Sequence, residues 1–332
     1  MPRPRRQCIS LASTPYYHCI SRCVRKAYLC GRDSSGRSYA HRRAWLEKKL
    51  IFLASVFAID LCAYAVMHNH YHAVLHINSI NAKAWSEHEV ITRWHQVFQG
   101  TEISKNYLMG HKLSESEKIM LSALAAVWRE RLMSISWFMR VINERIARTA
   151  NEEDECTGRF WEGRFKVQAL LDEKAIATCM AYVDLNPIRA GLAATPETSD
   201  YTSAKKRILK LKRALHHQAA SIQSKDLFPF RTSSDKDTRQ GLPFEMRDYL
   251  QLLDWTGRAL HEGKHGAIPA DMAPIFARIG IEPTNWLLMS KHYESQFPRF
   301  AGMVDNIQAA CDKINQRWAH GMSAARSLFS SA

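Results

Sequence analysis

Apolar positions recur along the N-terminal part of the chain in both strand-like and helix-like patterns. Segments rich in β-branched and aromatic residues, or with alternating polarity, predict four strands: 16–24, 60–67, 71–77 and 159–171. Apolar residues at helical spacing predict five helices: 39–57, 81–98, 114–132, 134–149 and 173–186. This order predicts an α+β fold with a ferredoxin-like four-stranded antiparallel sheet, helices on one face and a helical insertion at about 80–150.

The rest of the chain suggests how the protein is divided. Asp172 is a candidate N-cap for the helix over 173–186, and Pro187 should stop or kink that helix. A basic segment and then a polar one follow, and helical periodicity resumes in the C-terminal part. We therefore predict a first domain at 1–200, a linker at 201–240 and a helical C-terminal domain at 241–332.

The composition is that of a packed globular protein. Hydrophobic residues make up 46% of the 332 positions and charged residues 23%. The longest apolar stretches fall short of the roughly 20 residues that a bilayer span needs, and the N-terminus (MPRPRR) has no apolar signal core. We therefore expect a soluble, cytoplasmic protein with no membrane partner.

The charge pattern favours a nucleic-acid partner. The formal net charge is +14, and residues 1–50 hold twelve Lys/Arg against two acids. A second run, 205–213, contains six basic residues and no acid. Such runs provide an electrostatic footprint for a polyanion, although each alone could be a solvated helix face.

The densest candidate chemistry lies in VMHNHYHAVLHI, residues 66–77. His70 and His72 are two apart, so on a strand their side chains project from one face and could hold a divalent ion. The alternative is a pair of strand histidines without a ligand role. His68 and His76 share this parity, but His68 falls in the predicted turn and His76 lies about 13 Å along the strand from His72.

A second cluster is AYVDLNPIRAGL, residues 181–192. Tyr182 and Asn186 are four apart, which places them on one face of a helix. By itself the pair is more typical of a half-buried aromatic residue followed by an asparagine that ends the helix before Pro187.

Taken together, the two clusters resemble the REP-associated tyrosine transposases, which are single-tyrosine HUH nucleases, and specifically a longer subgroup with a C-terminal extension. The resemblance covers most of the chain. The matching segments are PYYHCISRCVRKAYLCG, FAIDLCAYAVMHNHYHAVLHI, SWFMRVINERIAR, CTGRFWEGRFKVQALLDEKAI, CMAYVDLNPIRAGLA and YLQLLDWTGRAL. One departure is His68, where related proteins usually carry Pro or Ser.

The resemblance implies a function and a site. Tyr182 would attack a phosphodiester of single-stranded DNA and become joined to the 5′-phosphate, while His70, His72 and Asn186 would hold Mg²⁺ or Mn²⁺. The implied partner is single-stranded or hairpin DNA of the palindromic REP type, bound by a monomer or homodimer near the bacterial nucleoid. Whether His68 joins the metal site is left open.

Ten basic residues are candidates for DNA contact: Arg3, Arg5, Arg6, Arg22, Arg25, Lys26, Arg159, Arg164, Lys166 and Arg189. The neighbouring Phe160, Trp161 and Phe165 could stack on unpaired bases or could pack in the core. Arg189 could instead support the tyrosine helix.

Two other functions remain compatible with the sequence. One is a non-catalytic DNA-binding protein or repressor that keeps the basic surface without cleavage. The other is an HUH nickase of the rolling-circle type, against which the AYVDLNPIRAGL context argues.

Overall fold

The computed structural model describes residues 8–24, 29–32, 35–216, 226–231, 241–261 and 272–329. Its strands are β1 Tyr16–Arg22, β2 Ile59–Val66, β3 His70–Ile77, β4 Lys166–Leu170 and β5 Phe300–Ala301. Its helices up to residue 200 are α1 Arg42–Val56, α2 Ser79–Ala84, α3 Glu87–His95, α4 Glu102–Leu108, α5 Glu115–Leu132, α6 Ile135–Glu153, α7 Glu173–Asp184 and α8 Asn186–Arg189. Those that follow are α9 Ser203–His216, α10 Met246–His261, α11 Ala273–Ile279, α12 Pro283–Gln296, α13 Val304–Asp312 and α14 Met322–Leu328.

The strands form one sheet in the order β2-β3-β1-β4-β5. The first four strands are antiparallel neighbours and correspond to the four predicted ones, whereas the short β5 pairs parallel with β4 and is an addition to the predicted sheet. The α+β class is therefore confirmed. The last predicted strand is shorter than expected. Among residues 159–165, only Trp161 makes a β-bridge, and its partner is Cys23.

Helices cover both faces of the sheet, where the sequence predicts them on one. Tyr71 and His72 are neighbours on β3, so their side chains point to opposite faces. Tyr71 donates a hydrogen bond to Asn143 of α6, while His72 contacts Asn186 at the start of α8. Helix α6, predicted as part of an insertion, thus packs against one face, and the α7–α8 segment packs against the other.

Both ends of α7 are held by buried or half-buried carboxylates. Asp172 accepts a hydrogen bond from the amide of Ala175, which confirms the predicted N-cap, and it also accepts one from the amide of Met303. At the other end, the fully buried Asp184 accepts hydrogen bonds from Ser203 of α9 and Tyr249 of α10. The C-terminal part of the chain therefore fixes the position of α7.

Further contacts connect the C-terminal helices to the sheet. Helix α12 packs along α7, and the hydroxyl of Tyr293 donates a hydrogen bond to the carbonyl of Ala175. The predicted domain boundaries stay a prediction, and residues 217–225 and 232–240 of the predicted linker lie outside the described residues.

The basic run at 205–213 has a partly structural role. It lies on α9, where Arg207 is buried, donates to the carbonyl of Cys62 and stacks over the ring of Phe230. Lys205 and Lys206 form ion pairs with acidic residues elsewhere in the chain. This run is therefore a weaker candidate for DNA contact than its charge alone indicates.

In the part of the chain that the structure describes, no helix is both long enough and apolar enough to cross a bilayer.

The carboxylate of Asp184 provides a test of this packing. Because Asp184→Ala leaves Ser203 and Tyr249 without their buried acceptor, we expect it to lower the free energy of unfolding by about 3 kcal/mol. Chemical denaturation measures this loss. Asp254→Ala, which removes an exposed ion pair with Arg258 on α10, is the matched control and should cost less than about 1 kcal/mol. Equal effects of the two substitutions would contradict the structural role of Asp184.

Candidate active site

The two predicted histidine ligands lie together on the central part of the sheet. His70 is the first residue of β3, and His72 is two residues further on, with ring centroids 4.9 Å apart. His72 is fully buried, and His70 is partly exposed at the edge of the site. The strand geometry thus places both imidazoles on the face that α7 and α8 cover.

The structure brings Tyr182 and Asn186 to the same place. Helix α7 ends at Asp184, and Asn186 begins the short α8, where Pro187 is the next residue. The Asn186 Nδ2 atom lies 2.8 Å from His72 Nε2, and the ring of Tyr182 lies 5.9 Å from the ring of His72. The four residues predicted from the sequence therefore form one cluster, although their roles stay predictions.

Two further residues of the cluster, His18 and Gln168, were not predicted from the sequence. His18 Nε2 lies 2.9 Å from His72 Nδ1, and His18 Nδ1 lies 3.0 Å from Gln168 Oε1. Both residues are buried on neighbouring strands, β1 and β4. Their polar side chains within apolar strands were the available signal, but the strand pairing that joins them to His72 is not visible in the sequence.

This chain of hydrogen bonds fixes the tautomers of both imidazoles. The amide nitrogen of Asn186 can only donate, so His72 Nε2 accepts and His72 Nδ1 carries the proton. His72 then donates to His18 Nε2, and His18 donates from Nδ1 to Gln168. The lone pair of His72 Nε2 is consequently directed toward Asn186.

The donor set fits a divalent cation with a carboxamide as the third ligand. The Nδ1 atom of His70 lies 2.6 Å from Asn69 Oδ1 and donates to it, so Nε2 of His70 also keeps its lone pair. Among the described residues, no group of three His, Cys, Asp or Glu side chains converges as a metal site. A rotation of the Asn186 amide would present its oxygen beside His72, as three-ligand binding requires.

Burial keeps the imidazoles neutral. It lowers the pKa of His18 and of His70 to about 4, and it lowers that of His72 well below the usual value. Burial also raises the pKa of Tyr182, which the nearby Arg189 cation partly offsets. At neutral pH the histidines are therefore available as ligands, and the phenol is protonated.

Arg189, predicted to contact DNA, lies against the tyrosine. Its guanidinium carbon is 3.8 Å from the centroid of the Tyr182 ring, and its Nη1 donates to the carbonyls of Tyr182 and Ser290. Burial lowers the pKa of Arg189 to about 10, so it remains a cation at neutral pH. This placement is that of a support for the tyrosine, the second role that the sequence allows.

Helix α12 supplies one wall of the site. The ring of Tyr293 lies 5.8 Å from that of Tyr182, and the carboxylate of Glu294 forms an ion pair with Lys166 of β4 at 3.0 Å. Burial lowers the pKa of both His18 and His70, and the charge of Glu294 offsets a small part of that lowering, so its field reaches the imidazoles. This carboxylate is not predicted from the sequence, because it lies more than 100 residues after Asn186 in a segment without a motif.

The remaining histidines of β3 and its turn have other surroundings. His68 lies in the turn before β3 and lines a cavity of about 770 Å³ together with His70 and Arg43. His76 pairs with Asp60 at 2.8 Å and stacks on Phe228. His76 is therefore accounted for by packing, and a metal role for His68 stays open.

Apart from Arg189, the predicted DNA-contacting residues fall into two groups. Arg22, Arg159, Arg164 and Lys166 are exposed. Arg3, Arg5, Arg6, Arg25 and Lys26 lie outside the described residues. The neighbouring Phe160 and Trp161 are buried and in ring contact with one another, so for these two the core-packing alternative is correct.

Comparisons with known proteins add little to this site. No family model and no curated protein sequence matches the chain. Among solved structures, that of a REP-associated tyrosine transposase bound to a REP hairpin is similar, with 12% sequence identity and a TM-score of 0.35 over 73% of this chain and 97% of that one. At this level the likeness carries no argument about function, which therefore rests on the residues themselves.

The buried histidines predict a pH-dependent stability. The pKa of His18 is about 4 in the folded protein against 6.5 for an exposed histidine, so the unfolded chain binds the additional proton between these values. The stabilisation is thus complete above about pH 6.5 and is lost as the pH falls toward 4, by roughly 3 kcal/mol for this residue.

Denaturation of the protein in EDTA across this pH range measures the effect. We expect His18→Gln to reduce the slope of the unfolding free energy against pH by the amount that corresponds to about one proton fewer taken up on unfolding. His111→Gln, at an exposed position far from the cluster, controls for the loss of a histidine. An unchanged slope in His18→Gln would show that His18 is not held neutral by folding.

Proposed function

We propose that this protein cleaves and rejoins single-stranded DNA through a covalent 5′-phosphotyrosine intermediate, as a transposase of the REP-associated tyrosine type. The observation that carries the proposal is the position of the Tyr182 ring, 5.9 Å from His72, whose Nε2 contacts Asn186. A phenol beside two neutral imidazoles and a carboxamide unites a nucleophile with ligands for a cation. A tyrosine that only packed in the core would need neither the imidazoles nor the carboxamide beside it.

Tyr182 provides the nucleophile. Its Oη forms a bond to phosphorus while the bond from phosphorus to the 3′ oxygen breaks, and the phenol loses a proton while the departing 3′ oxygen gains one. Because burial raises the pKa of the phenol, the phenolate needs stabilisation. The Arg189 guanidinium, stacked on the ring, supplies part of it by favouring the negative charge.

His70, His72 and Asn186 would hold the divalent cation. Such a cation, when bound, neutralises charge on the phosphodiester and orients it for in-line attack. The imidazoles suit Mn²⁺, whereas Mg²⁺ prefers oxygen ligands, so the donor set is compatible with either ion. His18 acts behind His72 by accepting a hydrogen bond from its Nδ1–H, which orients the ring and keeps Nε2 available.

The covalent intermediate accounts for the use of a tyrosine. It retains the energy of the phosphodiester, so a second 3′-hydroxyl can attack the phosphotyrosine and release Tyr182. Strands are then rejoined without ATP, which hydrolysis by an activated water would not permit. The choice of hairpin DNA of the palindromic REP type as substrate follows from the resemblance of the sequence segments to that family.

The nucleophile can be tested directly. Tyr182→Phe removes only the attacking oxygen, so we expect it to abolish an SDS-resistant adduct between the protein and a labelled hairpin oligonucleotide in Mn²⁺, while binding is retained. Tyr107→Phe, on α4, is the matched control and should form the adduct normally.

Either of two results would contradict this proposal. Normal adduct formation by Tyr182→Phe would require another nucleophile. Absence of an adduct with the unmodified protein on every REP-like hairpin, with binding intact, would favour the alternative of a non-catalytic DNA-binding protein.

The metal ligands are tested by binding as well as by activity. We expect His70→Ala and His72→Ala to weaken Mn²⁺ binding, measured by calorimetry, by at least about tenfold and to abolish adduct formation, because each removes one imidazole donor. His111→Ala controls for adventitious binding to surface histidines. Unchanged Mn²⁺ affinity in both site variants would rule out this cluster as the metal centre.

A further inference from the structure

A groove separate from the histidine cluster runs between β4 and residues 298–320, which we call the C-terminal segment. It has a volume of about 930 Å³. Residues from three distant parts of the chain line this basic groove, among them Arg159, Arg164, Lys166, Arg299, Arg317 and Trp318. The groove therefore exists only because the C-terminal segment packs beside β4.

The charged side chains that the structure describes along the basic groove are all positive. Five Lys or Arg side chains line it, and no Asp or Glu is among the described residues that do so. Lys166 pairs with Glu294, which lies outside the lining, and Arg299 donates to Gln316 at 2.6 Å. A concave surface with several cations and no acid concentrates polyanions, and phosphodiesters in particular.

An exposed indole makes the groove suitable for unpaired bases. Trp318 is 59% exposed, although tryptophan is usually largely buried in folded proteins. His320 lies next to it, with ring centroids 6.2 Å apart. A flat aromatic face among phosphate-binding cations is the arrangement by which proteins stack single-stranded bases, whereas paired bases within a duplex do not expose their faces.

One residue of the basic groove, Lys166, belongs to the sheet row that contains His72. Lys166 on β4 pairs with Ile20 on β1, and Ile20 pairs in turn with His72 on β3, so the three residues form a row across one face of the sheet. Two strand spacings separate the backbones of Lys166 and His72, which is about 10 Å. Tyr182 lies beside His72, so Lys166 connects the groove to the sheet face that carries the candidate active site.

We propose that the basic groove binds the single-stranded DNA that leads to Tyr182, with a base stacked on Trp318 and its phosphates held by the arginines. This inference rests on the proposed function, since it assigns the groove to the same substrate. It gives the C-terminal segment a role in holding DNA, in addition to its packing against α7.

Fluorescence anisotropy with the full chain tests the groove. The probes are a labelled oligo(dT) of about ten nucleotides and a labelled blunt hairpin without a tail. We expect Trp318→Ala to weaken oligo(dT) binding about tenfold and to leave the blunt hairpin unaffected. Met109→Ala, at a similarly exposed apolar position on the insertion, is the control and should bind both probes normally.

A second pair of variants measures the phosphate contacts. Arg317→Ala should reduce the slope of log affinity against log salt for oligo(dT) by about 0.7, the value for one phosphate on a single strand. Arg148→Ala, whose side chain is 68% exposed on α6, should leave that slope unchanged. Thermal melting of each variant checks that it is folded, and if Trp318→Ala does not fold, Arg317→Ala alone decides the outcome.

The outcomes separate this inference from the proposed function. Equal oligo(dT) binding by Trp318→Ala and Met109→Ala, or an unchanged salt slope in Arg317→Ala, overturns the groove assignment even if the phosphotyrosine adduct forms. Tighter binding of oligo(rU), or equally tight and Trp318-dependent binding of poly-glutamate, overturns the assignment to DNA. Loss of oligo(dT) binding in Trp318→Ala together with no adduct in the unmodified protein supports the groove and removes the cleavage function.

Discussion

The imidazole of His72 can satisfy both of its ring nitrogens only if three separate parts of the chain meet around it. Nδ1 donates to His18 on β1, Nε2 accepts from Asn186 on α8, and His18 is in turn bonded to Gln168 on β4. A buried polar atom without a partner costs about 1–3 kcal/mol, so a shift in any of these elements is penalised. The same bonds that stabilise the centre of the sheet therefore hold Asn186 at Nε2 of His72, beside the ring of Tyr182.

Helix α7, which carries Tyr182, is held in a similar way at both ends. Asp172 connects the start of α7 to the beginning of α13, and Asp184 connects its end to α9 and α10. Tyr182, two residues before Asp184, is thus positioned by a buried anchor rather than by the sheet alone. Arg189 adds a third restraint, because it bridges the carbonyl of Tyr182 and that of Ser290 on α12.

The sequence was most informative where local periodicity decides the outcome. Strand parity placed His70 and His72 on one face, and the spacing of Tyr182 and Asn186 brought both beside His72 although α7 ends between them. His18, Gln168 and Glu294 were missed because strand register and the return of α12 are long-range properties. The helices on both faces were missed for the same reason. The burial of Arg207 shows, in turn, that a run of charge does not by itself reveal which of its members face solvent.

The order in which the chain is synthesised has a consequence for α7. At about 5–20 residues per second, roughly five to twenty seconds pass on the ribosome between Asn186 and Glu294. During that time the apolar surface of α7 that α12 later covers has no partner from its own chain. A nascent or prematurely terminated chain therefore presents this surface to chaperones and proteases. Incomplete copies of the protein are then more readily degraded than complete ones.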